Sequence, residues 1–394
     1  MASTRSRHKN LMTTYDWIVI GGGITGAALA YELTQQNFNV LLLEKDPNPD
    51  NATRYSYGGL GFWGGTNEQT QQLCTEGWQR HQQLSAELDG ETEFREIDLL
   101  MTIAPTDSVE AVQASYHKFA IAPTFLDPQA AQDCEPLLNR DAIAGALHLP
   151  HGHVHPQKTT QAYLQAFQRQ GGTIQYETVV DLVHRDRRVT GVKTTNGSYT
   201  ADRVVLCAGG RSRTILQKMG ITAPFYFTHA ELIETPPVDF SLRAMVVPAN
   251  LQRLALQTQA TQAGVQPLWQ QPHQELAPAI LDAGVIQFQD GHLCIGQISR
   301  ALSDTKANID SSQSEAQMRA GIASILPKIA DTPGQWHHCL VAFSPEKLPQ
   351  IGLIPEIEGL HLFAGFTNTL VLVPSLARRF ALWATGAREF ILDI

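Results

Sequence analysis

The run Gly21-Gly22-Gly23-Ile24-Thr25-Gly26 comes directly after the apolar segment Trp17-Ile18-Val19-Ile20 and leads straight into AALAYELTQQ, which has a helical pattern. A strand that turns sharply into a helix needs glycine at Gly21. Close approach of backbone to a pyrophosphate needs one at Gly23, and tight packing of helix on strand needs one at Gly26. The helix start then offers free N–H groups and a positive dipole end to phosphate. Glycine-rich turns are common in proteins, and the second strand is what makes this one specific. That strand, VLLLEK, carries Glu44 at its end, eighteen positions beyond Gly26, where a carboxylate can accept hydrogen bonds from a ribose diol. Strand, glycines, helix, strand and acid in that order predict a dinucleotide site near the N-terminus.

The bulk properties narrow the partner classes. A chain of 394 residues with 43% apolar and 17% charged residues has the make-up of a globular protein of one elaborate domain or two. A net charge of −9 argues against a nucleic-acid partner, which calls for a basic face. No apolar run approaches the about 20 residues that span a bilayer. Residues 1–14 carry Arg5, Arg7 and Lys9 without the apolar segment of a secretory signal and are expected to be a flexible lead-in. Five scattered cysteines with no CxxC suit a reducing compartment, so the cytoplasm is the expected location. His151, His153 and His155 alternate as in a metal site, but Pro156 ends the run and no Cys, Asp or Glu lies nearby to complete a shell, so no metal is expected.

After the first βαβ unit comes NATRYSYGGLGFWGGT, too dense in glycine for a regular element and suited to lie along a planar ligand. A helix is expected from Gln69 to about Leu88, strand character in EFREIDLLMTIAP, and a helix around Ser108 to Phe119. GALHLP reads as a strand, and His155-Pro156 opens a helix that stops at Gly171-Gly172. Asn196-Gly197 and Asp290-Gly291 mark hairpins. Between about Thr214 and Pro333 the strands look less regular, and the glutamine-rich Gln257 to Glu275 reads as a long loop, either a cover or a disordered insertion, with Trp269 as its single large apolar anchor.

Four landmarks therefore occur in one order: GGGITG with Glu44, the glycine loop near Tyr57, GHVHPQKTTQAYLQAF with TVVDL and VVLCAGG, and LPQIG with FAGF. In that order the chain resembles the superfamily of D-amino-acid oxidase, glycine oxidase and sarcosine oxidase, which are FAD-dependent oxidoreductases. The resemblance implies an α/β fold in which a discontinuous Rossmann-like FAD domain (15–80, 140–213 and 335–394) joins a second α+β domain (81–139 and 214–334) built on a mostly antiparallel sheet. It implies that Gly21, Gly23, Ile24, Thr25 and Gly26 hold the pyrophosphate and Glu44 the ribose, with Lys45 beside it. Thr53, Ser56, Gly58 and Gly59 would line the flavin and its ribityl chain. Val179, Ala208 and Gly209 would pack near the adenine. Gly365, Phe366 and Thr367 would approach the pyrimidine side of the flavin. The family's GxV(D/N/H)P turn makes His155 a turn and capping residue.

Two departures bear on the substrate. Glycine oxidases carry a carboxylate-binding arginine in the run that here reads CLVAFSPEKLPQIG, and Val341 stands in its place; the lysine that sarcosine oxidases place farther on is replaced within VLVP. Candidate substrate contacts are then Arg300, Arg243, Tyr226 and Thr367, with His229 near the start of the second domain. Cys339 falls on the cysteine through which sarcosine oxidases hold FAD covalently; read by itself it is a buried apolar cysteine. The implied reaction is hydride transfer from a carbon bearing nitrogen to the flavin, with a small-molecule substrate and O2 or a quinone as acceptor. Oxidation of a 2-hydroxy acid and a non-catalytic flavoprotein acting as a binding or assembly factor are the alternatives.

Overall fold

A computed structural model describes residues 14–222, 225–345 and 348–387, so the lead-in up to residue 13 lies outside the described residues. Thr14 is already the first residue of a strand. The strands form two sheets. In the first, the order is Gln350–Leu353, Leu360–Ala364, Ser198–Leu206, Thr14–Ile20, Val40–Glu44, Thr173–Tyr176. All neighbours in that row are parallel except the edge strand Gln350–Leu353. A parallel sheet must be covered on both faces, and its central strands are accordingly apolar along their buried stretches, as in Trp17–Ile20, Val40–Leu43 and Val204–Leu206. Val40–Glu44 and Leu360–Ala364 are buried at every position.

The period of two divides these side chains. Trp17, Val19, Leu42 and Val205 pack under the helices Ile24–Gln35, Pro156–Arg169 and Thr369–Ala384. Ile18, Ile20, Leu41, Leu43, Val204 and Leu206 face the hairpin Val179–Arg185/Arg188–Thr194.

The second sheet runs Gln335–Phe343, Tyr226–Glu234, Leu293–Leu302, Glu275–Gln287, Ala244–Pro248, Arg95–Ile103, Gly145–His153, Gly59–Leu60. It is antiparallel apart from the pairing of Ala244–Pro248 with Arg95–Ile103. One face packs on the helix Ser311–Ile325 through Val246, Val285, Ile295 and Ile298. The other, with Leu99, Leu149, Leu232, Met245, Ile286 and Cys294, meets Tyr55, Tyr57 and Trp63 of the glycine-rich loop.

Two expectations change and one holds. Gly145–His153 and Gln335–Phe343, assigned by the resemblance to the cofactor domain, pair in the second sheet, as does Gly59–Leu60. Neither GALHLPHGH nor QWHHCLVAF carries a period that distinguishes one sheet from the other. The stretch from 214 to 333 does form four strands, and they are less regular, as expected: the pairings of Glu275–Gln287 and Tyr226–Glu234 with Leu293–Leu302 carry register shifts. Finally, Gln257 to Glu275 is ordered. It continues the helix Gln252–Ala260 and a 3-10 turn Gln266–Gln270, with Trp269 buried and its indole N–H donating to Ala260 O at 2.8 Å. Trp269 packs on Tyr226 and Phe227, which gives the segment the apolar partner its own composition lacks.

Candidate functional site

The carboxyl ends of four parallel strands open on one edge of the first sheet, the place where doubly wound folds hold ligands. Ile20 leads into Gly21, Leu206 into Cys207-Ala208, and Ala364 into Gly365, while Glu44 ends its strand. Gly21 has φ +109°, and a Cβ there would lie 2.6 Å from Cys207 O. A Cβ on Gly26 would lie 1.8 Å from Gly21 O, so helix and turn touch backbone to backbone. Gly23 precedes the helix without a side-chain cap of its own. The helix start is instead met by the loop: Ile24 N–H donates to Thr53 Oγ1 at 3.1 Å, and Thr25 Oγ1 donates to Cys207 O at 3.3 Å.

Glu44 is 8% exposed and held on both carboxylate oxygens. Oε2 accepts from Gly22 N at 2.6 Å, and Oε1 accepts from Lys45 N at 2.8 Å and Asp46 N at 3.2 Å. The acid is thus fixed beside the glycine turn, whereas the Lys45 side chain is exposed. At the far end of the edge, Val179 and Ala208 pack on one apolar cluster, and Gly209 turns with φ +54°.

The loop after Glu44 crosses to the second sheet. Ser56 Oγ accepts from Gly58 N at 3.3 Å, Gly59 pairs with His153, and Tyr57 OH donates to Gly284 O at 3.3 Å. Arg54 grips Glu234 with a two-pronged fork, both contacts at 2.8 Å. No pattern in the chain marks Arg54, Tyr57 or Glu234 as partners across such separations, and only the fold brings them together. From the other side, Gly365 turns with φ +77°, Phe366 is buried on Phe363, and Thr367 is exposed. Asn368 begins the helix Thr369–Ala384 without capping it and donates instead to Gly61 O at 2.8 Å. The Gly58–Gly61 loop and the Gly365–Asn368 turn therefore meet at an uncapped helix N-terminus.

These features fit a flavin dinucleotide: a turn too tight for side chains, a fixed acid at the second strand, and a second free helix start at the other end of the crevice. His155 takes the cap position of its helix, with Pro156 first inside it, but its side chain makes no cap hydrogen bond. Among the described residues no three His, Cys, Asp or Glu side chains converge as metal ligands.

The substrate candidates do not gather. Arg300 faces the helix Ser311–Ile325, where its Nε donates to the fully buried Glu231 at 2.7 Å and its Nη2 reaches Ser314 at 3.3 Å. His229 lies on that same face, stacked on His338 and hydrogen-bonded to it at 2.6 Å. Burial and the neighbouring His338 push the His229 imidazole down to about 4. Arg243 is exposed, and its backbone N–H is bound by Glu135 at 2.6 Å. Tyr226 is buried under Trp269 and against Arg213. Val341 pairs with Thr228. Cys339 faces the loop from beside Ala230, and burial together with the Asp50 charge pushes its thiol up to about 12.

The model of the FAD dependent oxidoreductase family, DAO, matches residues 16–383. The 4-methylaminobutanoate oxidase (formaldehyde-forming) of Paenarthrobacter nicotinovorans is 22% identical over 96% of this chain and 45% of its own length. A glycine oxidase of Pseudomonas aeruginosa is 31% identical over 52% of the chain and 48% of its own length. This chain thus matches less than half the length of both relatives. The crystal structure of glycine oxidase from Geobacillus kaustophilus superposes with a TM-score of 0.77 at 20% identity, covering 96% of both chains, which places the two in one fold.

Proposed function

The chain belongs to the DAO family of FAD-dependent oxidoreductases, and from that premise we propose that it oxidises the C–N bond of an amine or amino acid. The observation that carries the reading is the crevice: the glycine turn and Glu44 lie at one end, and the Gly58–Gly61 loop and Gly365–Asn368 turn meet against the apolar face of the antiparallel sheet at the other. Bound there, FAD supplies the two-electron acceptor for the hydride that leaves the carbon next to nitrogen, and water hydrolyses the resulting imine.

The chain's own residues bind and orient. Gly21, Gly23, Ile24, Thr25 and Gly26 take the pyrophosphate, Glu44 the ribose, with Lys45 beside it, and Val179, Ala208 and Gly209 the adenine end. Thr53, Ser56, Gly58 and Gly59 line the ring from one side, and Gly365, Phe366 and Thr367 from the other. The free N–H groups at Thr369–Val371 put the positive end of a helix dipole where negative charge on the ring is stabilised. Leu99, Leu232, Met245 and Ile286 exclude water from the face opposite.

Anaerobic titration of the purified holoprotein with amines, amino acids, N-methyl amino acids and hydroxy acids tests the reading. Bleaching of the flavin band by an amine or amino acid is expected. Bleaching by hydroxy acids alone replaces it with oxidation at a C–O bond, and a flavin that nothing reduces replaces it with a binding or assembly role. Reoxidation by air or only by a quinone then identifies the acceptor.

A further inference from the structure

Among the described residues, the face of the antiparallel sheet that meets the flavin loop carries the Arg54–Glu234 pair near one end and, away from it, Asp282 with no cation in ion-pair reach. Leu281 and Ala283 both pack on Gly321 of the helix Ser311–Ile325, so Asp282 between them points to the opposite face. It stands two residues from Gly284, whose carbonyl receives the Tyr57 hydroxyl of the flavin loop. Ser299 lies on the same face. It sits opposite Ile280 on one side and Ala230 on the other, while its neighbours Ile298 and Arg300 turn toward the helix. Asp282 and Ser299 are therefore diagonal neighbours on adjacent strands.

Neither side chain has a partner among the described residues. The Ser299 hydroxyl is buried, with 1% of the residue exposed, and makes no hydrogen bond. Asp282 is half-buried and forms no ion pair or hydrogen bond. Burial holds its carboxyl above the usual range, and the charge of Arg253, exposed on the helix Gln252–Ala260, offsets this only in part. The Asp282 charge in turn reaches the Tyr57 and Tyr116 hydroxyls. Around the pair the face offers Ala230, Leu232, Cys339, Val341, Met245 and Ile286, none of which balances a carboxylate. The buried Ser299 hydroxyl is costly unless a ligand supplies a partner, and the half-buried Asp282 carboxylate beside it favours a ligand that brings positive charge.

We propose that Asp282 and the Ser299 hydroxyl together recognise a positively charged nitrogen of the substrate, selecting an alkylamine or diamine that carries no carboxylate on the reacting carbon. This selectivity rests on the C–N reading. The fold decides its sign: an acid sits where an incoming carboxylate would be repelled, and Arg300 is committed to Glu231 on the far face.

A matched pair of non-oxidisable probes separates the alternatives. tert-Butylamine and 2-aminoisobutyrate both lack a hydrogen on the carbon bearing nitrogen and differ only in a methyl group against a carboxylate. Calorimetric titration of the oxidised holoprotein is expected to show tert-butylamine binding about tenfold or more tightly than 2-aminoisobutyrate. Asp282→Asn is expected to weaken tert-butylamine about tenfold, Ser299→Ala about fivefold, and Asp282→Glu to restore most of the affinity. If Asp282→Asn loses FAD, Ser299→Ala and Asp282→Glu carry the test. Preference for 2-aminoisobutyrate, or affinities for tert-butylamine within twofold of wild type in Asp282→Asn and Ser299→Ala, overturns the assignment. Anaerobic bleaching by n-butylamine is read in parallel. If it occurs while the variants bind as wild type, only the recognition site falls; if no amine bleaches the flavin while binding depends on Asp282, the oxidation reading falls and the site stands.

Discussion

Gly26 leaves no room for a methyl group, because the carbonyl of Gly21 lies 1.8 Å from where its Cβ would be. Backbone cannot yield as a flexible side chain can, so Gly26→Ala is expected to destabilise by about 3 kcal/mol and to purify without flavin, read from the ratio of visible to ultraviolet absorbance. Gly197→Ala is the control: nothing lies within 4 Å of its Cβ position, and the change is expected to stay within about 0.5 kcal/mol. Cys339 presents the opposite case, a side chain whose sequence position suggests chemistry its surroundings oppose. Attachment of a carbon to sulfur needs the thiolate, and a thiol pushed up to about 12 by burial and Asp50 is protonated at neutral pH. Acid precipitation is expected to leave a colourless pellet with all the flavin in the supernatant; a yellow pellet would show a covalent bond. The turn and Glu44 were legible because their geometry is local. Arg300 was misleading because its partner, Glu231, lies 69 positions away.

The cover between Gln252 and Gln270 has Trp269 as its largest buried side chain, with Leu256 and Ala260 buried in the same cluster. Trp269 fills the space between Tyr226 and Phe227, its indole N–H satisfies Ala260 O, and the rest of the segment is largely glutamine, threonine and alanine. Trp269→Ala is expected to cost about 3–5 kcal/mol locally. Amide exchange should then accelerate across 252–274 while Thr14–Ile20, in the middle of the parallel sheet, stays protected. Equal acceleration in both would mean that the cover is part of the global core. Helices and hairpins were legible wherever period and caps agreed. Glu68–Glu87 begins at an Asn67 capping box, and Pro156–Arg169 starts with proline and stops before Gly171-Gly172. The cover was not legible, since its stability comes from an aromatic pocket built by residues outside it.

Among the described residues, burial lowers the imidazoles of His81, His151, His229 and His361 to about 4 and that of His153 well below its ordinary value. Each titrates near 6.5 when unfolded, so the unfolded chain takes up protons first and stability falls between pH 6.5 and 4, by about 1.4 kcal/mol per group per pH unit. Glu32 works the other way: burial raises it to about 7, so its contribution is present at low pH and is lost as pH rises toward 7. Five groups against one give a net loss, and the melting temperature of the apoprotein is expected to drop by several degrees between pH 7 and pH 5.5 in calorimetry; an unchanged value would mean that the imidazoles are solvated. A nucleotide turn, an acid on the second strand and a later glycine-aromatic loop are short-range patterns, so the amino-acid order alone announced the cofactor class and the α/β half of the fold. Which sheet Gly145–His153 and Gln335–Phe343 join, which face Arg300 and Asp282 occupy, and that Arg54 holds Glu234 were settled only in three dimensions. Strand alternation says that two faces exist, and only the packing of the helix Ser311–Ile325 on one and the flavin loop on the other says which is which.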